Sequence, residues 1–549
     1  MGSLEVAICR CWQLILAVTL LTKFALVAQW IEHLITDQKV VGSSPAGCTN
    51  IILKRCEHIL MPEKRSDQPL LKGIFRKYET FLFLCLFVII SEATYFRANT
   101  LEFGRLDDFT GLVNSRTHAL SEGMFHGWFQ AGRFIPATIG SLFFSYTKSV
   151  SDLQYLRLIS AGIIGLGGGI IALFVWKLFK RENLASFAAA ILVGVISITT
   201  TSAPSAATWA TLASQMFTIP LALVGGIVCT TNRRYFRLPW WVISTGLLLF
   251  SAFCYQQYVP LAALPVCMWA AIQYVSTQQI HWKKIVLILV QIVVALGTNA
   301  LYVLNFADGA QDRVLRGAFS DRIYWFVGTY IPRTIDIGLP NSQKSGLISL
   351  LILGILLLFP VLVNRRNIVF MFAAIISWAT CAIVIFPTEL WASYRLIHPA
   401  QMALWGGAAF GFVFATRTRN MRFILAAGLL VGVFAIQQAD QRAYNFIALP
   451  NHFDWETTKC EIERNPGINT FVINESDVSR SRVFSYDEVG TIASNFDWVF
   501  ELSIKMARSE LIENGKLETQ ATKPTLISTS DSANLPAGTF LVIDQYMCK

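Results

Sequence analysis

The sequence predicts an all-α polytopic membrane protein that ends in a small α/β domain. Of its 549 residues, 54% are hydrophobic and only 15% are charged, and the mean hydropathy is +0.50. Long uncharged apolar runs recur along the chain, which is typical of a protein that crosses a bilayer many times. Residues 439–549 leave this pattern, and they account for the predicted α/β domain.

Residues 1–60 differ from the rest of the chain. Within them, the segment ALVAQWIEHLITDQKVVGSSPAGCTN resembles the peptide obtained when a transfer-RNA gene is translated. We interpret residues 1–60 as a non-native leader and Met61 as the initiator, which makes residues 61–79 a basic cytoplasmic tail. The alternative is a signal sequence or an extra helix, since Trp12 to Leu21 has the length of a signal h-region, although no clear small-residue cleavage site follows.

Hydropathy predicts about eleven membrane helices between residues 80 and 438, since a span of about 20 apolar residues satisfies its own backbone hydrogen bonds in hydrocarbon. The predicted spans are 80–97, 155–178, 184–203, 206–230, 238–256, 258–276, 285–306, 346–363, 367–386, 401–416 and 423–438. The run Phe134–Tyr146 is too short to cross comfortably and contains Pro136 and Gly140. We expect it to be interfacial or re-entrant.

Clusters of Lys and Arg predict the orientation of these spans. The clusters lie at 64–77, 177–181, 233–237, 283–284, 365–366 and 417–422, and all fall on one side of the membrane. By the positive-inside rule that side is the cytoplasm. The loops 98–154, 307–345 and 387–400 and the tail after 438 are therefore expected to face outward. If residues 134–146 span the membrane, every later segment inverts.

The C-terminal region, residues 439–549, has a mixed globular pattern. The runs Thr470–Ile473 and Thr539–Ile543 predict strands, and Ile492 to Ile512 predicts a helix. Cys460 and Cys548 are the cysteines of this region. In an oxidising periplasm they are candidates for a disulfide.

Composition and motifs exclude several classes of function. The net charge of +10 does not indicate nucleic acid as a partner, because the basic residues lie at the ends of apolar runs. A phosphate-binding GxxxxGK[ST] loop, zinc-like Cys/His spacing and a GxSxG elbow do not occur in a suitable context. The spans hold almost no charge, which disfavours an ion-coupled transporter. Polar residues concentrate in the outward loops, where no ATP is expected, so a transfer reaction there requires a bond already activated on a lipid carrier.

The first outward loop carries an adjacent acidic pair, Asp107 and Asp108. A neighbouring carboxylate and partial burial both raise a carboxyl pKa, towards a value that suits a general base. The same pair suits a divalent cation, Mg or Mn. A third interpretation is that Asp108 caps a helix running through Phe109 to Leu120.

Four features, in this order, resemble the polytopic GT-C-class glycosyltransferases, and among them the bacterial and phage O-antigen glucosyltransferases. They are the Asp107–Asp108 pair, the pair Gly132–Arg133 in the same loop, Tyr255–Gln256 at the end of a middle helix, and the outward segment SYRLIHP before a late helix. The resemblance covers the layout of most of residues 80–440.

The resemblance implies an inverting hexosyltransferase of the bacterial inner membrane with its C-terminal domain in the periplasm. It implies transfer of a hexose, with glucose as the expected sugar, from a polyprenyl-phosphate donor to O-antigen or another surface polysaccharide. Its partners would be that lipid-linked sugar, the polysaccharide acceptor and membrane lipid. Asp107 or Asp108 would take the proton of the acceptor hydroxyl as an oxocarbenium-like centre develops.

A second set of residues is expected to bind substrate or phosphate. Arg395 and His398 are the first candidates for neutralising the leaving phosphate, with Arg133 and Arg333 in reserve, because a guanidinium pairs bidentately with phosphate. Tyr255–Gln256 is expected to line the site. The alternative for Arg395 and His398 is an interfacial anchor that extends towards lipid headgroups, and Tyr is enriched near span ends in any case.

Three other functions stay open at the level of the sequence. An O-antigen polymerase would place basic residues in two large outward loops, whereas this chain places an acidic pair early. A flippase or other transporter of lipid-linked saccharide would show internal repeats and charge inside the membrane. A membrane scaffold would tolerate the loss of Asp107 and Asp108.

Overall fold

The computed structural model is largely helical. It describes residues 68–115, 123–180, 184–231, 238–306, 319–337, 345–383, 394–416, 422–467, 470–473, 497–517, 525–528 and 541–542. The predicted leader 1–60 and residues 61–67 of the predicted tail lie outside the described residues, whereas residues 68–79 of the predicted tail are helical. The chain forms two units, Met1–Tyr78 and Glu79–Lys549, and the side-chain contacts below belong to the second.

The helices are numbered in chain order. They are α1 Gln68–Asn99, α2 Leu106–Ser115, α3 Gly123–Gln130, α4 Phe134–Tyr146, α5 Leu153–Leu178, α6 Leu184–Ile198, α7 Ala203–Ala207, α8 Thr218–Thr230, α9 Trp240–Tyr255, α10 Ala263–Thr277, α11 Trp282–Phe306, α12 Phe319–Trp325, α13 Ile331–Ile335, α14 Ser345–Val363, α15 Ile368–Ile383, α16 Tyr394–Thr416, α17 Arg422–Arg442, α18 Leu449–Arg464 and α19 Asp497–Glu513. Short 3₁₀ segments cover Ala210–Leu212, Gln256–Ala262 and Arg365–Asn367, and π-helical turns cover Phe326–Tyr330 and Ala443–Ala448. The strands are β1 Thr470–Ile473, β2 Thr525–Ser528 and β3 Leu541–Val542.

Several of these helices are able to cross a membrane. Within the described residues, five segments have the required length and apolar composition, namely Glu79–Asn99, Leu153–Leu178, Trp240–Thr277, Trp282–Phe306 and Ser345–Val363. Shorter apolar helices cover Phe134–Tyr146, Leu184–Ile198 and Thr218–Thr230. This architecture confirms the prediction of an all-α, multi-pass membrane protein. The 13 residues of α4 rise about 20 Å, which is less than the roughly 30 Å of a hydrocarbon core.

Burial distinguishes central from peripheral helices. In α5, 72% of the most apolar window is buried, against 17% in α14. A Cβ atom on Gly165 of α5 would lie 2.6 Å from the backbone carbonyl oxygen of Phe87 in α1. Only glycine allows α1 and α5 to approach this closely. The exposed leucines of α14, such as Leu351 and Leu358, suit contact with lipid.

The connector between α6 and α8 corrects one predicted element. Within the predicted span 206–230, a continuous α-helix begins only at Thr218. Residues 199–217 instead form α7, the 3₁₀ segment Ala210–Leu212 and turns, and residues 199–216 are all buried. Ser and Thr side chains bond to nearby backbone groups and compete with a regular helix; Thr208 Oγ1 donates to the carbonyl of Pro204 at 2.7 Å. Hydropathy alone does not detect this competition.

The C-terminal strands form one parallel sheet in the order β2-β1-β3. Strand β1 has the predicted bounds, β3 falls within the predicted run 539–543, and α19 lies at the predicted helix. A parallel pair joined by a helix, as β1, α19 and β2 are, is a βαβ unit. Phe500 and Ile504 of α19 share a hydrophobic cluster with Phe109 of α2 and Trp455 of α18.

Helix α17, a π-helical turn and α18 run without a break from 422 to 464. They cross position 438, where the predicted last span ends. The first part of the predicted C-terminal region therefore continues the helix that begins at Arg422. It packs against the segment that carries the acidic pair, since Trp455 contacts Glu102 and Phe109.

Candidate active site

Asp107 and Arg395 meet at the N-terminal ends of two helices. Asp107 lies in the first turn of α2, and Arg395 lies in the first turn of α16. Arg395 Nη1 is 3.5 Å from Asp107 Oδ2, and the two side chains are 18% and 32% exposed. A carboxylate and a guanidinium that both reach solvent can both reach a substrate.

Asp108, the neighbour of Asp107, is fully buried. Its Oδ2 accepts the backbone N–H of Arg105 at 3.1 Å, and its Oδ1 accepts the backbone N–H of Thr211 at 2.9 Å. Arg105 immediately precedes α2, so Asp108 caps the helix from its third position, as the acidic member of a capping box does. The helix is described from Leu106 to Ser115, and the rest of the predicted run to Leu120 lies outside the described residues. Asp108 thus fixes α2 to the connector.

The electrostatic state of Asp108 follows from its burial. Loss of water raises the pKa of Asp108 to about 6, and this effect outweighs the N–H donor of Thr211 and the nearby charges of Arg157 and Arg105. Arg157 is itself buried and donates to the carbonyls of Asn99 and Phe103. The carboxyl is therefore set among buried groups that hold the loop, and it does not face the surface.

The two carboxylates have different partners. Successive helical positions are about 100° apart around the axis. Asp107 Oδ2 faces Arg395, whereas both oxygens of Asp108 accept backbone N–H groups. Among the described residues there is no group of three His, Cys, Asp or Glu arranged to hold a metal ion. A Mg or Mn ion held by Asp107 and Asp108 stays a prediction.

His398 lies one turn after Arg395 and is fully buried. Its Nδ1 is 2.9 Å from the hydroxyl oxygen of Tyr258. The same hydroxyl donates to the carbonyl oxygen of Arg395 at 3.5 Å. His398 and Tyr258 therefore support the turn that presents Arg395.

Arg133, Tyr255 and Gln256, which the sequence analysis selected separately, form one cluster. Arg133 Nε donates to Gln256 Oε1 at 3.3 Å, and the guanidinium carbon lies 4.7 Å from the ring centroid of Tyr255. Gln256 Nε2 donates to the carbonyl of Ala131 and to Asn299 Oδ1, each at 2.9 Å. Asn299 Nδ2 returns a hydrogen bond to the carbonyl of Gly132 at 2.8 Å.

Tyr258 connects this cluster to the first one. Its ring centroid lies 5.7 Å from that of Tyr255 and 5.7 Å from that of His398. The aromatic contacts run from Arg133 through Tyr255 and Tyr258 to His398, one turn from Arg395. The structure thus brings the predicted residues of three distant segments into one continuous network.

Arg333 is linked to this region through its backbone. Its carbonyl oxygen accepts Gln401 Nε2 at 2.8 Å, and Gln401 Oε1 accepts the N–H of Ser202 at 3.0 Å and its hydroxyl at 2.7 Å. Gln401 thereby ties α13 and the connector to α16. This contact gives the Arg333 segment a structural role beside the site.

Sequence reasoning missed three residues of the site: Trp209, Tyr258 and Asn299. Asn299 carried a detectable signal, because a buried amide in an apolar span usually bonds to a neighbouring helix. Tyr258 follows the selected Tyr255–Gln256 pair by two positions. Trp209 gave no signal, since the connector was predicted as part of a span.

The C-terminal region is attached to the segment between α1 and α2 through Glu102. Its Oε1 accepts Trp455 Nε1 at 2.8 Å and Lys459 Nζ at 2.9 Å. Lys459 Nζ also lies 3.6 Å from Glu510 Oε2 of α19. Burial acts to raise the pKa of Glu102, but the hydrogen bonds from Trp455 and Lys459 hold it below its ordinary value. Cys460, next to this cluster, is disulfide-bonded, and its predicted partner Cys548 lies outside the described residues.

Comparison with known proteins assigns no family to the chain. Neither the protein-family models nor the curated proteins give a match. The site is therefore interpreted from its own geometry. Its principal features are a half-buried carboxylate beside a half-buried guanidinium, a buried carboxyl that fixes the helix of Asp107, and an aromatic network behind them.

Proposed function

We propose that this protein is a GT-C-like membrane hexosyltransferase that moves a hexose, with glucose as the expected sugar, from a polyprenyl-phosphate donor to O-antigen or another surface polysaccharide. The observation that carries the proposal is the Asp107–Arg395 pair, 3.5 Å apart at the ends of α2 and α16. It places a proton acceptor beside a cation suited to phosphate.

In the proposed reaction, Asp107 acts as the general base. Its carboxylate takes the proton from the acceptor hydroxyl while that oxygen forms a bond to the anomeric carbon of the hexose. The bond between the anomeric carbon and the phosphate oxygen breaks, and its electron pair leaves with the phosphate. Arg395 neutralises the charge that develops there. A single displacement of this kind inverts the configuration of the anomeric centre.

Asp108 has a positioning role in this proposal. Its two N–H acceptor contacts hold α2 against the connector, so that Asp107 keeps its direction. His398 and Tyr258 support the backbone of Arg395. Arg133, with Tyr255–Gln256, forms the second wall of the substrate site and a further cation for a lipid phosphate.

We further propose that about eleven spans place this site on the periplasmic side of a bacterial inner membrane, with residues after 438 also in the periplasm. The basic clusters support this orientation, and the disulfide-bonded Cys460 supports an oxidising compartment. The donor would enter laterally between the helices. No nucleotide sugar is needed, because the sugar arrives already activated on its lipid.

The test is hexose transfer by the purified protein in lipid nanodiscs, with a radiolabelled panel of polyprenyl-phosphate hexoses and an O-antigen acceptor. We expect label in the glycan from a polyprenyl-phosphate hexose and none from a nucleotide sugar. Extension of diphosphate-linked repeat units would instead indicate a polymerase. Movement of lipid-linked sugar across a vesicle without transfer would indicate a flippase. Either of these results would contradict the proposal.

A further inference from the structure

Trp209 carries two guanidinium groups over its ring. The guanidinium carbon of Arg105 lies 4.5 Å from the ring centroid, and that of Arg395 lies 4.7 Å from it. Trp209 is only 1% exposed. A guanidinium within about 6 Å of an indole ring is attracted by the negative face of the ring. The arginine of the reactive pair therefore rests on a buried aromatic surface.

The position of Trp209 is fixed on both sides in the sequence. Before it, the carbonyl of Ser205 accepts Arg105 Nη1 at 3.1 Å. After it, the N–H of Thr211 donates to Asp108 Oδ1 at 2.9 Å. Both anchors come from α2 or from the residue that precedes it. The helix that carries Asp107 thus also fixes the ring beneath Arg395.

The ion pair alone is a weak constraint on Arg395. Its atoms are 3.5 Å apart and both side chains reach solvent, and exposed ion pairs typically contribute about 0–1 kcal/mol. An arginine side chain has many rotamers to choose from. A planar guanidinium that lies over an aromatic ring loses much of this freedom before it binds a ligand. The ring supplies an orientation that the carboxylate by itself does not.

We infer that Trp209 is a positioning residue whose ring holds the guanidinium of Arg395 beside Asp107, directed at the leaving phosphate. The phosphate in this inference rests on the proposed function, whereas the contact between ring and guanidinium does not. The ring acts through Arg395 and does not itself touch the reacting atoms.

Two substitutions distinguish the effect of the aromatic ring from the effect of side-chain volume. Trp209→Phe keeps an aromatic face, and it removes no hydrogen bond, because Trp209 Nε1 has no partner within the part of the chain that the structure describes. Trp209→Leu removes the ring. Trp176→Leu is the matched control, since Trp176 is also buried, its Nε1 also lacks a partner among the described residues, and its ring packs on Phe83 and Phe187 in the membrane.

The experiment measures KM for the lipid-linked donor and kcat in the wild-type and Arg395→Gln backgrounds. We expect Trp209→Leu to raise KM by about tenfold, as the loss of a partly desolvated cation–π contact predicts, and Trp209→Phe to stay within about threefold of the wild type. In the Arg395→Gln background, Trp209→Leu should add no further loss, because the two residues act as one unit. Trp176→Leu should act by the same factor in both backgrounds.

The inference would be overturned if Trp209→Leu raised KM by the same factor in the Arg395→Gln background as in the wild type. It would also be overturned if Trp209→Phe raised KM as much as Trp209→Leu. The wild type, Trp209→Leu, Arg395→Gln and the double variant are also compared by thermal unfolding without substrate. Coupling between Trp209 and Arg395 in unfolding, together with a wild type that transfers no sugar, would overturn the proposed function and leave the contact standing. Absence of coupling in both measurements would overturn the positioning role itself.

Discussion

The guanidinium of Arg395 lies 3.5 Å from the carboxylate of Asp107, although 288 positions separate the two residues in the sequence. Both residues stand in the first turn of a helix at the same end of the molecule. Both side chains reach solvent, so the pair contributes little to the free energy of unfolding. Its neighbour Asp108 shows the opposite behaviour, since it is fully buried and bonded to backbone. Asp107 is therefore available to a substrate, whereas Asp108 holds the helix in place.

Arg395→Gln should lower the rate of hexose transfer by about 100-fold or more, because loss of a charge at a developing anion typically costs about 3–4 kcal/mol. Arg395→Lys should recover only part of that loss, since an ammonium neither pairs bidentately nor lies flat over Trp209. The measurement is transfer by protein whose thermal unfolding is unchanged. Arg97→Gln is the matched control, because Arg97 pairs with Asp440 at 3.1 Å and lies over the ring of Tyr444. Equal losses in Arg97→Gln and Arg395→Gln would contradict a phosphate role for Arg395.

Asp108 should give a pH-dependent contribution to stability. Its pKa in the folded protein is about 6, against an ordinary value of 3.8. The folded state therefore binds the proton more tightly, so the contribution is fully present below about pH 4 and is lost as the pH rises through about 6. Its full size is on the order of 3 kcal/mol. Thermal unfolding of wild type and Asp108→Asn between pH 4 and 8 measures it. The wild type should gain stability relative to the variant as the pH falls. A difference in unfolding temperature that stays constant with pH would contradict a raised pKa of Asp108.

Gly132→Ala should destabilise the loop that carries Arg133. Gly132 has φ +73°, and an added Cβ would lie 2.7 Å from Asn299 Nδ2, so the substitution combines backbone strain with a clash at the amide that holds the loop. The expected cost is about 1–3 kcal/mol. Gly127→Ala is the control in the neighbouring helix, where an added Cβ meets nothing within 4 Å. Thermal unfolding should show a loss for Gly132→Ala and none for Gly127→Ala. Equal unfolding temperatures would argue against the Asn299 contact.

Lys459→Met should loosen the attachment of the C-terminal region. Lys459 contacts Glu102, between α1 and α2, and Glu510 of α19, and its removal leaves two partly buried carboxylates without their cation. Limited proteolysis should then cut more rapidly after Arg464, the last residue of α18. Lys516→Met is the control, since Lys516 pairs with Glu463 at an exposed position. A cleavage rate that Lys459→Met leaves unchanged would show that the cluster does not hold the region.

Much of this architecture could be predicted from the sequence. Long apolar runs identify helices because each helix must satisfy its own backbone in hydrocarbon. The sequence assigned Arg133 and Tyr255–Gln256 to one site but did not predict a contact between them. The structure shows a hydrogen bond from Arg133 to Gln256. The connector containing Trp209 escaped prediction, because hydropathy averages over Ser and Thr side chains that bond back to the chain.

The different roles of Asp107 and Asp108 could not be predicted either. Adjacent residues have the same local sequence, and only the packing of α2 against Thr211 determines which carboxylate is buried. Asn299 is similar, since its partners Gln256 and Gly132 come from segments that are distant in the chain. Residues of this kind become visible only when tertiary contacts are known.

The most direct measurement of the central claim is the rate of hexose transfer from a polyprenyl-phosphate donor by purified Asp107→Asn protein. Asp152→Asn serves as the control, because Asp152 accepts the backbone N–H groups of Lys148 and Ser149 in the turn between α4 and α5. Loss of a general base should lower the rate by about 10²–10⁴-fold, with thermal unfolding unchanged and Asp152→Asn close to wild type. A folded Asp107→Asn protein that transfers hexose at the wild-type rate would contradict the assignment of Asp107 as the base.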